Sequence, residues 1–318
     1  MTTLVRRQMV RHGVAALASA VVLWWSPGRL LSTEGPRTPL AHPGTVDPAA
    51  PLLQRVRENL LQDEAIEQVY AFRIYRRSYD VSLLGKVTNG PERLFDVGPS
   101  PFDPDQSFRR LIAVDGAPLP ADDMREAEEH HRREVLEERR ARQRETPAEQ
   151  ARRLRDESKE AAEARQRLDD VVAVLRIDVV GREIVDGEPL LAVTLTPRPG
   201  ARPRTNEGRN AQKIHGQAWV HEDEGQLAKI EVELVEDVKI GLGIIGRVHA
   251  GSRAFYRRVR LPDGTWAPVE ARFAGSGRTL MLRPFQIETW ARYSDYRRLP
   301  ASDPRDAGTA ARPPADRR

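Results

Sequence analysis

The sequence contains no cysteine. Disulfides, thiolate nucleophiles, cysteine-ligated zinc and a lipidated N-terminal cysteine are thereby excluded, and the fold must be held by packing alone. A surplus of charge is missing as well. The formal net charge of +4 comes from 51 basic and 47 acidic residues, but the stretch up to Ala41 holds five of the arginines (Arg6, Arg7, Arg11, Arg29, Arg37) and a single acid, Glu34. The remainder balances at 46 of each sign, which argues against nucleic acid as the main partner, because phosphate binding needs an uncompensated basic surface. The chain lacks G-x-S-x-G, H-E-x-x-H, and Ser, His and Asp in the local contexts of a hydrolytic triad. No catalytic residue and no cofactor is assigned, and the chain reads as something other than an enzyme.

Long hydrophobic runs are also scarce. The one that stands out is the 13-residue stretch from Gly13 to Trp25, preceded by Arg6, Arg7 and Arg11 and closed by Ser26-Pro27-Gly28. It is too short to sit comfortably across a ~30 Å hydrocarbon core and has the layout of an export signal. The expected location is the periplasm or cell envelope, with residues 1–41 a signal segment cut after Pro39-Leu40-Ala41. An uncleaved anchor, giving membrane association through the N-terminal segment, is the alternative. Val5-Arg6-Arg7-Gln8-Met9-Val10-Arg11 approximates a twin-arginine signal, a pattern that a plain basic n-region also produces. Residues 42–51, rich in Pro and Ala, read as a linker.

Downstream, Leu52, Leu53, Val56, Leu60 and Leu61 recur at helical spacing. Alternation then takes over: Tyr70, Phe72 and Ile74 fall on one side of a strand from Val69 to Tyr79, and Arg73, Tyr75 and Arg77 on the other. Asn89-Gly90-Pro91 reads as a turn, and Leu111 to Val114 as a short strand before Asp115-Gly116. Residues 122–170 hold 16 acids, 13 bases and no glycine. They predict a charged helical insertion, solvated rather than core, in two helices that meet where Thr146-Pro147-Ala148-Glu149 supplies an N-cap, a first-turn proline and a capping-box glutamate.

From Val171 on, strands and turns predominate. Val171 to Val185 and Pro189 to Thr196 flank Asp186-Gly187, and Gly216 to Glu222 and Gln226 to Val235 flank Glu224-Gly225. Val248 to Leu261 turns at Pro262-Asp263-Gly264 into Trp266 to Phe273, and Gly275-Ser276-Gly277 turns into Arg278 to Tyr296. Four successive hairpins predict a large antiparallel sheet, and the Pro-, Arg- and Asp-rich residues 299–318 a disordered tail.

Three motifs have tempting readings. Gly241-Leu242-Gly243-Ile244-Ile245-Gly246 spells a dinucleotide fingerprint, but Arg247 to Leu261 alternates like a strand where a helix is needed. Glu128-Glu129-His130-His131 gives one E-x-x-H where a di-iron bundle needs two, so no metal site is assigned. His215 and His221 share the strand face of Trp219 without a matching carboxylate pattern.

The segments Gly216-Gln217-Ala218-Trp219-Val220, Gln226-Leu227-Ala228-Lys229-Ile230-Glu231, Gly251-Ser252-Arg253, Trp266-Ala267-Pro268 and Tyr293-Ser294-Asp295-Tyr296 resemble the LolA/LolB-like outer-membrane lipoprotein-sorting superfamily of envelope proteins, over roughly residues 52–298. The resemblance implies a strongly curved antiparallel half-barrel, lined with apolar side chains and covered by helices, whose carriers hold lipoprotein acyl chains in the hollow. The charged insertion and the missing cysteine depart from the carriers' pattern. The residue pattern leads separately to an α+β, mainly β fold: a single half-barrel domain over 52–298 with its insertion at 122–170.

On this reading the apolar faces of the late strands line the hollow. Ile230, Val232 and Leu234 share one strand face; Val269, Ala271 and Phe273 share another; Phe285, Ile287 and Thr289 share a third. The first eight of these nine are the candidate lipid-binding residues, and a lipid or lipoprotein acyl chain is the candidate ligand. The competing expectation is a non-catalytic envelope scaffold or sensor that binds a partner protein through its charged helices.

Overall fold

Strand periodicity dominates the molecule, and all thirteen described strands assemble into one antiparallel sheet. The computed structural model describes residues 50–62, 66–82, 86–240, 246–279 and 283–299. The export segment with its cleavage site, the linker up to residue 49, the glycine-rich residues 241–245 and the tail from residue 300 lie outside the described residues.

Five helices and thirteen strands are described: α1 Ala50–Gln62, α2 Ile66–Val69, β1 Tyr70–Val81, β2 Val87–Ser100, β3 Asp103–Val114, β4 Ala117–Pro118, α3 Ala121–Gln143, α4 Pro147–Val174, β5 Leu175–Val185, β6 Glu188–Pro197, α5 Asn206–Ala211, β7 Ile214–His221, β8 Leu227–Leu234, β9 Val238–Ile240, β10 Gly246–Val248, β11 Arg253–Arg260, β12 Trp266–Thr279 and β13 Pro284–Arg298. The strand order is β4-β3-β2-β1-β13-β12-β11-β8-β7-β6-β5, with β9 and β10 attached beside the end of β12. The sheet is open, and it curls. Val87 of β2 packs in the same cluster as Leu175 of β5 and Ile214 of β7, strands far apart in the order that only a curved sheet brings face to face. The result is a half-barrel with helices on its inner side.

The chain leaves the sheet at one edge, after β4, and re-enters at the other, as β5. The crossover is the helical pair α3 and α4. Asp122 and Asp123 in the first turn of α3 and Arg140 and Arg142 in its last complement the helix dipole. Thr146 and Glu149 close a full capping box at the start of α4, with Pro147 in the first turn. The insertion is not wholly solvated: Val135, Leu168 and Asp170 are buried. His131 stacks on Phe108 with ring centroids 4.2 Å apart and lies 2.7 Å from the buried Ser100 hydroxyl, which fastens α3 to the β2–β3 hairpin. Burial holds the His131 pKa below its ordinary value, opposed by Glu134.

Several turn and strand expectations are corrected. Asn89-Gly90-Pro91 lies inside β2, where the β1 register shifts between Arg77 and Tyr79 and β3 pairing has not yet begun; at such a bulge the missing proline N–H breaks no ladder. Gly275-Ser276-Gly277 lies inside β12. A Cβ on Gly275 would come within 2.7 Å of the Phe273 ring and 2.8 Å of Ser252 Oγ, and one on Gly277 within 2.5 Å of the Phe285 ring. These glycines serve close packing, not a turn. Val171 to Val174 is helical rather than strand, because Val174 is drawn into the core and Asp170 is held by the amides of Arg204 and Thr205 and the Thr205 hydroxyl. The predicted strand Val248 to Leu261 is broken at His249–Ser252, where Gly251 turns at φ 83°.

Candidate ligand-binding face

Strand register defines two faces. One cross-strand row of the inner face runs Ala218, Ile230, Tyr256, Ala271, Ala291 across β7, β8, β11, β12 and β13. It continues through Arg76 of β1 and Arg93 of β2. A neighbouring row runs Gly216, Val232, Ala254, Phe273, Thr289. On β13, Phe285, Ile287, Thr289, Ala291 and Tyr293 all share this face by alternation.

The inner face is covered in three patches. Leu52, Val56 and Leu60 of α1 lie over Leu191, Val193, Leu195, Ala218, Val220 and Leu227. Val171 and Val174 of α4, with Ala211 of α5, lie over Leu234, Ala254, Phe273, Phe285 and Ile287. Ile66 of α2 lies over Phe72, Ile74, Val97, Ala291 and Tyr293. The first patch repeats every four residues along α1, the helical spacing that its sequence predicts.

The eight candidate residues divide between these patches and the seam that separates them. Leu234, Ala271, Phe273, Phe285 and Ile287 are buried. Ile230 and Val232 are partly exposed where the α1 patch meets the α4 patch. Val269 is also half-exposed, but it is the extra residue of a bulge opposite Arg257 and Arg258, so the strict alternation that groups it with Ala271 and Phe273 is interrupted. A second bulge sends Ala228 to the outer face, packed with Leu190, Ala192, Trp219 and Trp266, rather than inward with Ile230.

Polar groups gather at the β1–β3 end. Arg76 and Arg93 stand directly opposite each other in register. The Arg76 guanidinium lies over the Phe95 ring at 5.8 Å, and Arg93 donates to Ser78 Oγ at 3.3 Å. Arg109 pairs with Glu67 of α2, yet Glu67 Oε2 and Arg109 Nε are buried without a hydrogen-bond partner. Burial holds the Tyr293 hydroxyl well above its usual pKa, reinforced by Tyr256 and Tyr296 and opposed by Arg109 and Arg76. Sequence reasoning missed these arginines, although extending the Phe72, Ile74 parity by two residues along β1 points Arg76 inward.

The outer face is built differently. Lys229 sits over Trp219 at 4.1 Å, Arg272 over Phe255 at 4.7 Å and Arg292 over Trp290 at 5.2 Å. Tyr75 and Arg77 both bond Glu92. His221 does lie on the Trp219 side, against Trp266, where Glu224 N donates to its Nδ1. A pocket of about 50 Å³ beside Trp266, lined by Leu190, Lys229 and Arg257 among others, is far smaller than the ~300 Å³ of a ligand-sized site. Among the described residues no cluster of three metal-ligating side chains occurs. The last glycine of the dinucleotide-like motif, Gly246, opens strand β10 and not a helix, so no helix N-terminus stands there for a pyrophosphate.

No family model and no curated protein matches the chain. Among solved structures it is similar to a DUF1329 family protein from Desulfovibrio piger, at 12% identity and a TM-score of 0.28, with 80% of this chain and 94% of that one covered. It is also similar to an outer membrane lipoprotein-sorting protein domain from Vibrio parahaemolyticus, at 8% identity and a TM-score of 0.27, covering 80% and 95%. A third is a LolA superfamily protein from Nitrosomonas europaea, at 11% identity and a TM-score of 0.24, covering 79% and 94%.

Proposed function

We propose that this chain is an exported, non-catalytic envelope protein that holds a lipid or acyl chain against the inner face of its half-barrel, in the manner of a lipoprotein carrier. The observation that supports this reading is the divided cover of that face. Three helical patches leave Ile230, Val232 and Tyr256 half-exposed in a continuous apolar sheet surface, and such a concave, partly covered apolar surface is the usual setting for an apolar ligand. Binding of a fluorescent fatty-acid probe tests it. The wild type should bind saturably, and Val232→Glu should abolish binding at modest cost to the fold. No binding by the wild type, together with a loss of more than ~3 kcal/mol of stability in Val232→Glu, would mean that the face is packed solid and would overturn the proposal.

A second reading, an envelope scaffold or sensor that binds a partner protein, draws on other surfaces. Most of α3 and α4 is exposed, including Leu154 at 49%. The edge strand β5 adds Val179, Val180 and Ile184 at 51, 57 and 73%. Deleting residues 125–165 behind a short Gly/Ser linker separates the two readings. Probe binding that survives the deletion favours the carrier, and partner capture that is lost with it favours the scaffold.

A further inference from the structure

The two ends of the sheet are finished differently. At one, β4 is a two-residue strand beside the end of β3, and α3 is fastened to the β2–β3 hairpin by the His131–Phe108 stack and by Arg139, which donates to the Phe102 carbonyl at 2.9 Å. At the other, β5 ends the strand order as an 11-residue strand with neither lysine nor proline, the residues that commonly blunt an edge. A bulge at Val180 interrupts β5, so its regular stretch is Leu175–Val179. The Arg198 amide donates to the Val174 carbonyl, and Pro197, which has no N–H, stands opposite Leu175. By alternation Arg176 and Asp178 turn their backbone groups toward β6, whereas Leu175, Ile177 and Val179 turn theirs to the open edge. Of these, the Leu175 carbonyl accepts from the Arg198 guanidinium at 3.2 Å. The side chains divide by face. On the inner side Ile177 packs with two core clusters and Val179 is 51% exposed. On the outer side Arg176 and Asp178 bond each other at 2.8 Å and stand opposite the neutral Thr196 and Thr194 of β6.

We propose that this stretch is a self-pairing edge, on which a second copy of the chain docks its own Leu175–Val179, antiparallel, about a two-fold axis at Ile177. In that register Ile177 faces Ile177 of the second copy and Leu175 faces Val179, so the residues with edge-directed backbone groups meet one another and apolar side chains meet on the inner side. Arg176 then stands opposite Asp178 of the second copy, and Asp178 opposite Arg176. These two ion pairs fall at the non-hydrogen-bonded positions, where facing side chains come closest. An axis at Asp178 instead would set that carboxylate against itself and turn the wrong backbone groups to the seam. The contact is isologous and closes as a dimer. It goes beyond the acyl-chain reading and does not depend on it.

The test is sedimentation equilibrium of the full chain at concentrations up to about 100 μM, the range suited to so small an interface. Wild type should dimerise reversibly. Asp178→Arg alone and Arg176→Asp alone each turn both attractive pairs into repulsive ones and should weaken the dimer about tenfold. Mixed in equal amounts, the two variants should form a heterodimer of wild-type affinity, and Arg176→Asp/Asp178→Arg in one chain should dimerise like wild type. Each single variant also loses the bond between positions 176 and 178 within its own strand. Recovery on mixing leaves that bond broken, so it assigns the effect to contacts between chains, and misfolded chains would not rescue one another. A monomeric wild type overturns the proposal. So does a dimer that either single variant leaves intact, and so does a weakened dimer that mixing fails to restore.

Discussion

Phe273 and Arg272 are neighbours on β12 and belong to different worlds. Phe273 pairs across the sheet with Ala254 and Thr289 and is buried beneath the C-terminal turn of α4. Arg272 points the opposite way, pairs in register with Phe255 and Trp290, and bonds Glu270 in solvent. The inner face gains its energy by removing apolar area from water, a large term that no exposed neighbour replaces. Outside the buried cluster of Leu190, Ala192, Trp219, Ala228 and Trp266, the outer face gains it from stacked cations, aromatic rings and ion pairs, each worth little because water competes for the same groups. The same backbone therefore carries a surface that tolerates few changes and one that tolerates many.

The contrast is sharpest at the two phenylalanines. Phe273→Ala should cost ~3–5 kcal/mol, the range for emptying a buried aromatic position. Phe255→Ala, on the half-exposed outer face, should cost less than ~1.5 kcal/mol. Urea denaturation of both variants decides it, and equal losses would break the comparison.

Next in size is Gly277→Ala. The added methyl would meet the Arg247 carbonyl oxygen and the Phe285 ring, an overpacking that costs ~1–3 kcal/mol. Ala274→Ser, on the exposed outer side of the same strand, serves as the control and should change the melting temperature little.

A smaller effect is expected at Arg272→Gln. Removing a cation that stacks on Phe255 and bonds Glu270 should cost ~0.5–1 kcal/mol, falling further in high salt. A loss as large as that of Phe273→Ala would show that the outer face is not the weaker partner.

The smallest expected change is in a titration. The Tyr70 hydroxyl donates to Asp263 and, with the Thr265 amide, holds that carboxyl down to about 2. A depressed carboxyl stabilises the fold at pH above its ordinary value of 3.8 and loses that contribution as pH falls from there towards about 2. Tyr70→Phe should move the Asp263 carboxyl, followed by carbon NMR, upward toward its ordinary range. A midpoint unchanged at about 2 would mean that the hydrogen bond is not the cause.

Much of this fold is legible in the sequence where one residue type has one use. Alternation of Ile230, Val232 and Leu234 with Lys229, Glu231 and Glu233 reads correctly because the pairing of β8 with both its neighbours is regular from Lys229 onward. Asp186-Gly187 reads correctly because both residues adopt positive φ in the tight turn. Thr146 and Glu149 cap α4 through purely local bonds. Legibility fails where a residue serves a contact distant in sequence. Gly275 and Gly277 look like a turn and are instead spaces left for Phe273 and Phe285. Val171 to Val174 look like strand by composition, and their helical state is set by the buried Asp170 and the core beneath Val174. Ala228 and Val269 depart from alternation at bulges, which shift the parity of a strand without marking it. The inner arginines are hidden for a related reason: in a row of letters Arg76 is one of many charges, and only the pairing of β13 with β1 and of β1 with β2 aligns it with Ala291 and Arg93.

That pairing also gives the last strand a particular place in the sheet. Strand β13 lies between β12 and β1, so Tyr70 of the first strand meets Arg298 of the last. In the strand order β13 alone joins β1–β4 to β5–β12, so without it β1 would be an unfinished edge on one side and β12 incompletely paired on the other. Contacts of such sequence separation close late and slowly, and open strand edges invite association with other chains in the interval. A chain stopped short of β13 would not be a smaller half-barrel. It would be two hemispheres without a keystone, linked along the chain by a pair of charged helices.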